Sequence, residues 1–209
     1  MKFYDCKPAP SPRRVRMFMA EKGIEIPTVQ VDLRNGEHLS HEFRMVNPHC
    51  TVPVLVLDDG TRLISTAAIW RYLEETHPEP PLMGRSAKEK ALVADTQWRI
   101  EAEGMAAISE ALRNSAPGMK GRALTGPAPF EQIPALAERG KKRAELFLQL
   151  LEFMVGPKPF LCGDTISVAD IDAFIVVEFA KWIKVELPPD SPNIRRWHAS
   201  IAARPSATA

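Results

Sequence analysis

A chain of 209 residues with 27 Lys and Arg against 26 Asp and Glu has a formal net charge of +1, too little to attract nucleic acid or a membrane surface. Hydrophobic residues at 45% and charged residues at 25% exclude a disordered chain, and the length suits one sizeable core or two small ones. Cys6, Cys50 and Cys162 are too scattered for a structural zinc site or a disulfide framework, and MKFYDCKPAP has no apolar leader, so the chain reads as metal-free and cytoplasmic.

In chain order, Lys2 to Cys6 reads as a strand, and Arg13 to Glu21 as a helix with Val15, Phe18 and Met19 at helical spacing, ended by Gly23. Thr28 to Asp32 alternates like a second strand, which makes a β-α-β unit and a parallel pair. The runs Val54–Leu57 and Arg62–Ile64 flank Asp58-Asp59-Gly60 and predict a hairpin. A helix over 66–76 closes the module, and a short helix over 40–46 would make its order β-α-β-α-β-β-α. Pro78-Glu79-Pro80-Pro81 is a stiff, polyproline-like spacer.

Beyond it the pattern is helical throughout. Helices are expected over 87 to about 114, 135–155, 167–185 and about 194–203, with a Gly- and Pro-rich break over 115–134. The third of these is apolar on every side through Ile171, Phe174, Ile175 and Val177, as a buried central helix is. The expected domains are 1–77, a linker over 78–86, and an all-helical 87–209. Trp70, Trp98, Trp182 and Trp197 fall at core-like helical positions and are assigned to packing.

Four motifs bear on chemistry. Pro53 opens an apolar strand, where a missing N–H costs no ladder bond; it is either an edge-strand proline with no ligand or, with a cis Val52-Pro53 bond, turns the Val52 backbone toward a peptide-like ligand. Ser65 and Thr66 begin a helix, where their hydroxyls either serve as plain caps or leave free N–H groups that attract an anion such as a carboxylate, two roles that do not exclude one another. Ser167 and Asp170 form a structural S-x-x-D capping box. In CKPAPSPRRVR, Ser11 before Pro12 reads as a helix N-cap, Cys6 as a strand-end thiol that is either inert or activated, and Arg13, Arg14 and Arg16 as a solvated helix face. His38, His41 and His49 gather in the polar segment before Pro53, whereas His77 and His198 read as structural.

A β-α-β and β-β-α module with Val-Pro opening its third strand, a Pro-rich linker, and GDTISVAD before a buried central helix together resemble the cytosolic glutathione transferase family. The likeness runs from KFYDC to IRRWHASIAARP, and GEHLSHEF is similar to a segment of its plant-type branch. It implies an α/β thioredoxin-like domain followed by an all-α domain, a homodimer, and a detoxifying role for glutathione as co-substrate. By the same resemblance, Val52 beside cis Pro53 would pair with the cysteinyl backbone of glutathione, Ser65 and Thr66 would take its γ-glutamyl group, His38 would lie near its glycine carboxylate, and Thr51 stands where a glutamine is common.

The sequence departs from the family at two points. An acid is expected where Ser65 stands, and Ala9 occupies the position of the catalytic serine. Ser11, Cys6 or a backbone N–H of the Ala9–Ser11 turn must then polarise the sulfur. The expected function is conjugation or reduction of small electrophiles, which the helical segment from Glu103 to Met119 would help select. The alternatives are a binding or regulatory protein that has lost efficient chemistry, and a Cys6-based thiol-disulfide oxidoreductase.

Overall fold

The computed structural model describes residues 1–209, which divide into two compact units: Met1–Pro80 with Thr125–Ala128 and Ala209, and Pro81–Leu124 with Pro129–Thr208.

The first unit runs β1 (Lys2–Asp5), α1 (Pro10–Lys22), β2 (Thr28–Gln30), a 3-10 turn at Glu37–Leu39, α2 (His41–Val46), β3 (Val54–Val56), β4 (Arg62–Leu63) and α3 (Thr66–Thr76). Its sheet has the order β2-β1-β3-β4, with β1 parallel to β2 and antiparallel to β3, and β3 antiparallel to β4. The side-chain alternation of a strand divides the apolar residues between two faces. Tyr4, Val54 and Val56 join Val31 and Phe43 of α2 in one cluster. Phe3 and Leu55, opposite one another in the ladder and fully buried, point to the other face, the side of the packed pair α1 and α3. Phe18 of α1 stacks on Trp70 of α3 with ring centroids 6.1 Å apart. Gly23 ends α1 in the left-handed conformation, φ 65°, that glycine adopts without steric penalty.

In the second unit, α4 (Ala87–Arg99) continues through a π-helical segment, Ile100–Met105, into α5 (Ala106–Ser115). The remaining helices are α6 (Pro134–Val155), α7 (Val168–Ala180) and α8 (Pro192–Ala202). All but one of the residues of α7 are buried, as its apolar circumference requires. The α5–α6 contact depends on small residues: a Cβ on Gly140 would meet the Ala111 nitrogen at 2.6 Å and the Ala107 oxygen at 2.7 Å. At Gly104, within the π segment, a Cβ would meet the Phe147 ring at 2.6 Å.

Asp170 is buried in the first turn of α7 and accepts from the Ser167 N–H and hydroxyl, the Leu161 N–H and the Trp197 indole N–H. Burial pushes its carboxyl up from the ordinary value, and those donors pull against it. A second acid, Glu152 of α6, accepts from the amides of Asn193 and Ile194 and so caps α8 from outside that helix.

The structure corrects several local expectations. Helix α1 begins at Pro10 with Ala9 as its cap, so Ser11 lies in the first turn and is not the cap, and Pro10, rather than Pro12, stands at the first position. Arg14 is only 4% exposed and Arg16 pairs with buried Asp5, so this side of α1 is not a solvated basic face. Trp70 and Trp197 are core residues, but Trp98 is 63% and Trp182 53% exposed. Helical spacing places a residue on a face without saying whether anything covers that face. Residues 79 and 80 form a bend with a cis Glu79-Pro80 bond, not an extended polyproline segment.

Candidate functional site

The sheet register gathers three segments at one end of the first unit. The β1–β3 pairing ends at Tyr4–Val54, so the residues after Asp5 run beside those before Val54. The β3–β4 pairing sets Leu55 opposite Leu63, so the chain leaves β4 toward the same end and enters α3 there. The turn of Cys6 and Ala9, the start of α1 with Ser11, the Thr51-Val52-Pro53 approach to β3, and Ser65 and Thr66 at the start of α3 are thereby neighbours. Their separations in sequence conceal this.

The turn after β1 is held from below. Buried Asp5 accepts from Arg16 and from Gln30 Nε2 at 2.6 Å; Gln30 Oε1 accepts the Lys7 N–H at 2.9 Å, and Arg16 also donates to the Lys7 carbonyl at 2.8 Å. At the start of α1 the Ala9 N–H donates to the Cys6 carbonyl at 2.8 Å, and Pro10 and Pro12 have no N–H to offer. Of the amides that a helix start leaves without an intrahelical acceptor, the Ser11 N–H is the one that remains open. Its hydroxyl oxygen accepts from Arg14 Nη2 at 3.2 Å. Ala9 contributes no side-chain donor.

Cys6 is 7% exposed, and burial pushes its thiol above the ordinary value although the Leu33 and Ala9 amides pull against the shift. Such a thiol is the reverse of an activated one.

At β3, the Val52-Pro53 bond is cis, and Val52 lies outside the paired stretch of the strand. The approach to it is built on Asn47, which is fully buried. Its Nδ2 donates to the Thr51 carbonyl at 2.8 Å and to Thr51 Oγ1 at 3.0 Å, its Oδ1 accepts the His49 N–H, and its carbonyl accepts the Cys50 N–H. Cys50 is held at φ 55°, a left-handed conformation unusual for a residue with a side chain. The sequence reading gave Asn47 and Gln30 no role and placed Arg16 on a solvated face; the Asn-Pro pair at 47–48, a turn signal, was the available hint for the first.

Helix α3 is capped by Ser65, whose hydroxyl oxygen accepts the Ala68 N–H at 3.2 Å, leaving the Thr66 and Ala67 amides without an intrahelical acceptor. Ser65 is exposed and Thr66 buried. Neither α1 nor α3 carries an acid in its first turn, so the positive ends of both helix dipoles are available to an anion. His38 is half-buried in the 3-10 turn that follows β2, while His41 and His49 are exposed and form no buried cluster with it. No group of three or more His, Cys, Asp or Glu residues is placed to hold a metal ion. No helix is long and apolar enough to cross a membrane.

Comparison with known proteins shows the family to which both units belong. The model of the glutathione S-transferase N-terminal domain matches residues 9–76, and that of the C-terminal domain matches residues 131–209. Glutathione S-transferase 2 of Saccharomyces cerevisiae is 31% identical over 209 residues, covering 99% of this chain and 87% of that protein. Among solved structures, a glutathione S-transferase domain-containing protein from Marinobacter aquaeolei VT8 superposes with a TM-score of 0.90 at 37% identity over 99% of both chains. Gtt2 from Saccharomyces cerevisiae does so with a TM-score of 0.89 at 31% identity, over 99% of this chain and 98% of that one. The architecture is that of the glutathione S-transferase fold, a thioredoxin-like α/β unit and a helical unit, and with both domain models matched the chain belongs to the glutathione S-transferase family.

Proposed function

We propose that this protein transfers the sulfur of glutathione to small electrophiles, or reduces them with it, and that residues 1–77 hold the tripeptide. The observation that carries the reading is the convergence at one sheet end of the Val52-Pro53 edge and the starts of α1 and α3. An extended peptide with a carboxylate at each end and a thiol in the middle matches that set: backbone groups at Val52 for its cysteinyl residue, the α3 start with Ser65 and Thr66 for its γ-glutamyl carboxylate, and His38 with Thr51 for its glycine end. The sulfur then lies toward Ser11, whose amide and hydroxyl are both within the first turn of α1. Hydrogen bonds to the charged form favour it, so the bound thiol is acidified. The thiolate attacks the electrophilic carbon, the carbon–sulfur bond forms, and the leaving group departs with the electron pair of the bond it breaks.

Helices of 87–209, including the face from Glu103 to Met119, would receive the electrophile, residues 78–86 would connect the two parts, and the protein would work in the cytoplasm as a homodimer, the commonest soluble oligomer. Size-exclusion chromatography with light scattering tests the last point, with a mass of two chains expected.

Retention on immobilised glutathione, followed by conjugation of an activated aryl halide by wild type, Ser11→Ala and Cys6→Ala, tests the catalytic reading. Retention with turnover that falls in Ser11→Ala and persists in Cys6→Ala is expected. Loss confined to Cys6→Ala would make the protein a thiol-disulfide oxidoreductase, a reading that burial of Cys6 disfavours. Retention without turnover would make it a binding protein, in line with the missing side-chain donor at Ala9. Absence of retention overturns glutathione as the ligand.

A further inference from the structure

Arg14 lies behind Ser11 in the first turns of α1. Its side chain leaves the second turn of α1, is almost entirely buried, and lies with its guanidinium carbon 6.0 Å from the centre of the Trp70 ring, which comes from α3. Trp70 is itself fixed by stacking on Phe18. A guanidinium over an aromatic face is held by the ring quadrupole, and burial between two helices removes the rotamer freedom that a surface arginine would have. The position of this cation is therefore set by the core and not by solvent.

One nitrogen of that guanidinium, Nη2, donates to Ser11 Oγ at 3.2 Å. An arginine can only donate, so the serine oxygen must act as the acceptor in this contact, and its own hydrogen is released for a different partner. The same contact places a positive charge directly behind the hydroxyl. Both effects act in one direction: the Oγ–H is turned away from Arg14, and an anion accepting from it is stabilised. The Ser11 N–H, the open amide of the first turn, adds a second donor from the same residue.

We propose that Arg14 is a positioning residue for thiol activation, orienting the Ser11 hydroxyl as a donor to the sulfur of bound glutathione and lowering that thiol's pKa through it. The proposal rests on the glutathione reading above and adds a residue that sequence placed on a solvated face. Arg14 acts through Ser11, so it touches neither the tripeptide nor the electrophile in this scheme.

The test follows the ultraviolet absorbance of the thiolate of bound glutathione against pH, together with the pH dependence of kcat/KM, in wild type, Arg14→Met, Arg14→Lys, Ser11→Ala and the Arg14→Met/Ser11→Ala double variant. Arg14→Met is expected to raise the bound thiol pKa by about one unit, a tenfold loss of thiolate well below that pKa, with retention on immobilised glutathione kept. Lysine keeps the charge without the fork and is expected to give an intermediate shift, which also reads out the effect if the methionine variant folds poorly. The double variant should shift no further than Ser11→Ala alone, because the two residues act in series. A bound thiol pKa unchanged in both Arg14 variants, or shifts that sum in the double variant, overturns the role of Arg14. Failure of the wild type to be retained on glutathione overturns the underlying reading instead, and is distinguished by appearing before any substitution is made.

Discussion

The ammonium of Lys22, at the last residue of α1, lies 2.8 Å from the carboxylate of Glu74 near the end of α3, and it also donates to the carbonyls of His77 and Pro80 at 2.7 Å each. One side chain thus ties together the C-terminal ends of the two helices whose N-terminal ends frame the candidate site. The Lys22 side chain is 0% exposed and passes over the Phe18 ring, so the pair is buried rather than a surface ornament.

Removing the lysine of a buried pair takes away a close, hydrogen-bonded cation from the carboxylate that faces it. Lys22→Met is expected to destabilise the protein by about 3–5 kcal/mol in chemical denaturation, and adding Glu74→Leu to recover much of that loss. A single-variant loss below about 1 kcal/mol would show that water reaches the pair in solution.

Gly140 should tolerate no side chain. The Cβ of an alanine would lie 2.6 Å from a backbone atom of α5, which cannot rotate aside, so Gly140→Ala is expected to lose about 1–3 kcal/mol by overpacking. Gly118→Ala is the control, because nothing lies within 4 Å of the added atom. Thermal melting of both variants checks the contrast; equal melting temperatures would contradict the close α5–α6 approach.

Asn47 is expected to act on glutathione affinity through the loop it organises. Asn47→Ala removes the donor to the Thr51 carbonyl and hydroxyl and the acceptor for the His49 N–H. Steady-state kinetics should show KM for glutathione raised about tenfold, roughly 1.4 kcal/mol, with kcat changed much less. A fall in kcat with KM unchanged would place Asn47 in activation of the sulfur instead of binding.

The acid limb of stability should depend on Glu110. Hydrogen bonding from Arg139, the largest influence, and then the charges of Arg139 and Arg143 hold its carboxyl below the ordinary value of 4.5. A carboxyl depressed in the folded state contributes stability that is full above its unfolded value and is lost as pH falls through the folded value. Because Arg139 is largely exposed, solvent screening keeps the contribution under about 1 kcal/mol. Glu110→Gln should therefore lower stability slightly at neutral pH and match wild type in strong acid; a constant difference at both pH values would refute the linkage.

Much of the architecture could be read from local pattern. The parallel β1–β2 pair, the DG hairpin, the short helix over 40–46 and the apolar circumference of α7 follow from alternation, turn chemistry and helical period, which are properties of neighbouring residues. The misreadings share a physical cause. Ser-Pro looks like a cap and first position, but Pro10 competes for the same role two residues earlier, and Ala9 can occupy a cap without a side-chain bond. Arg14 and Arg16 look like solvent-facing charges, yet Arg14 is covered by Trp70 of α3 and Arg16 is taken up by Asp5 of β1, partners that come from different elements.

By itself, the amino-acid sequence determined most of the strands and helices and that a Pro-rich segment follows the helix over 66–76, and it singled out Val52-Pro53, Ser65-Thr66 and the turn after β1 as candidates for chemistry. Only the tertiary structure decided that these three share one end of a sheet, that Cys6 is buried with its thiol pushed up, and that Arg14 is buried against Trp70 of α3. Propensity and periodicity act over a few residues along the chain. Burial and charge, which set the reactivity of a hydroxyl or a thiol, depend on groups that the fold brings together from far apart in sequence.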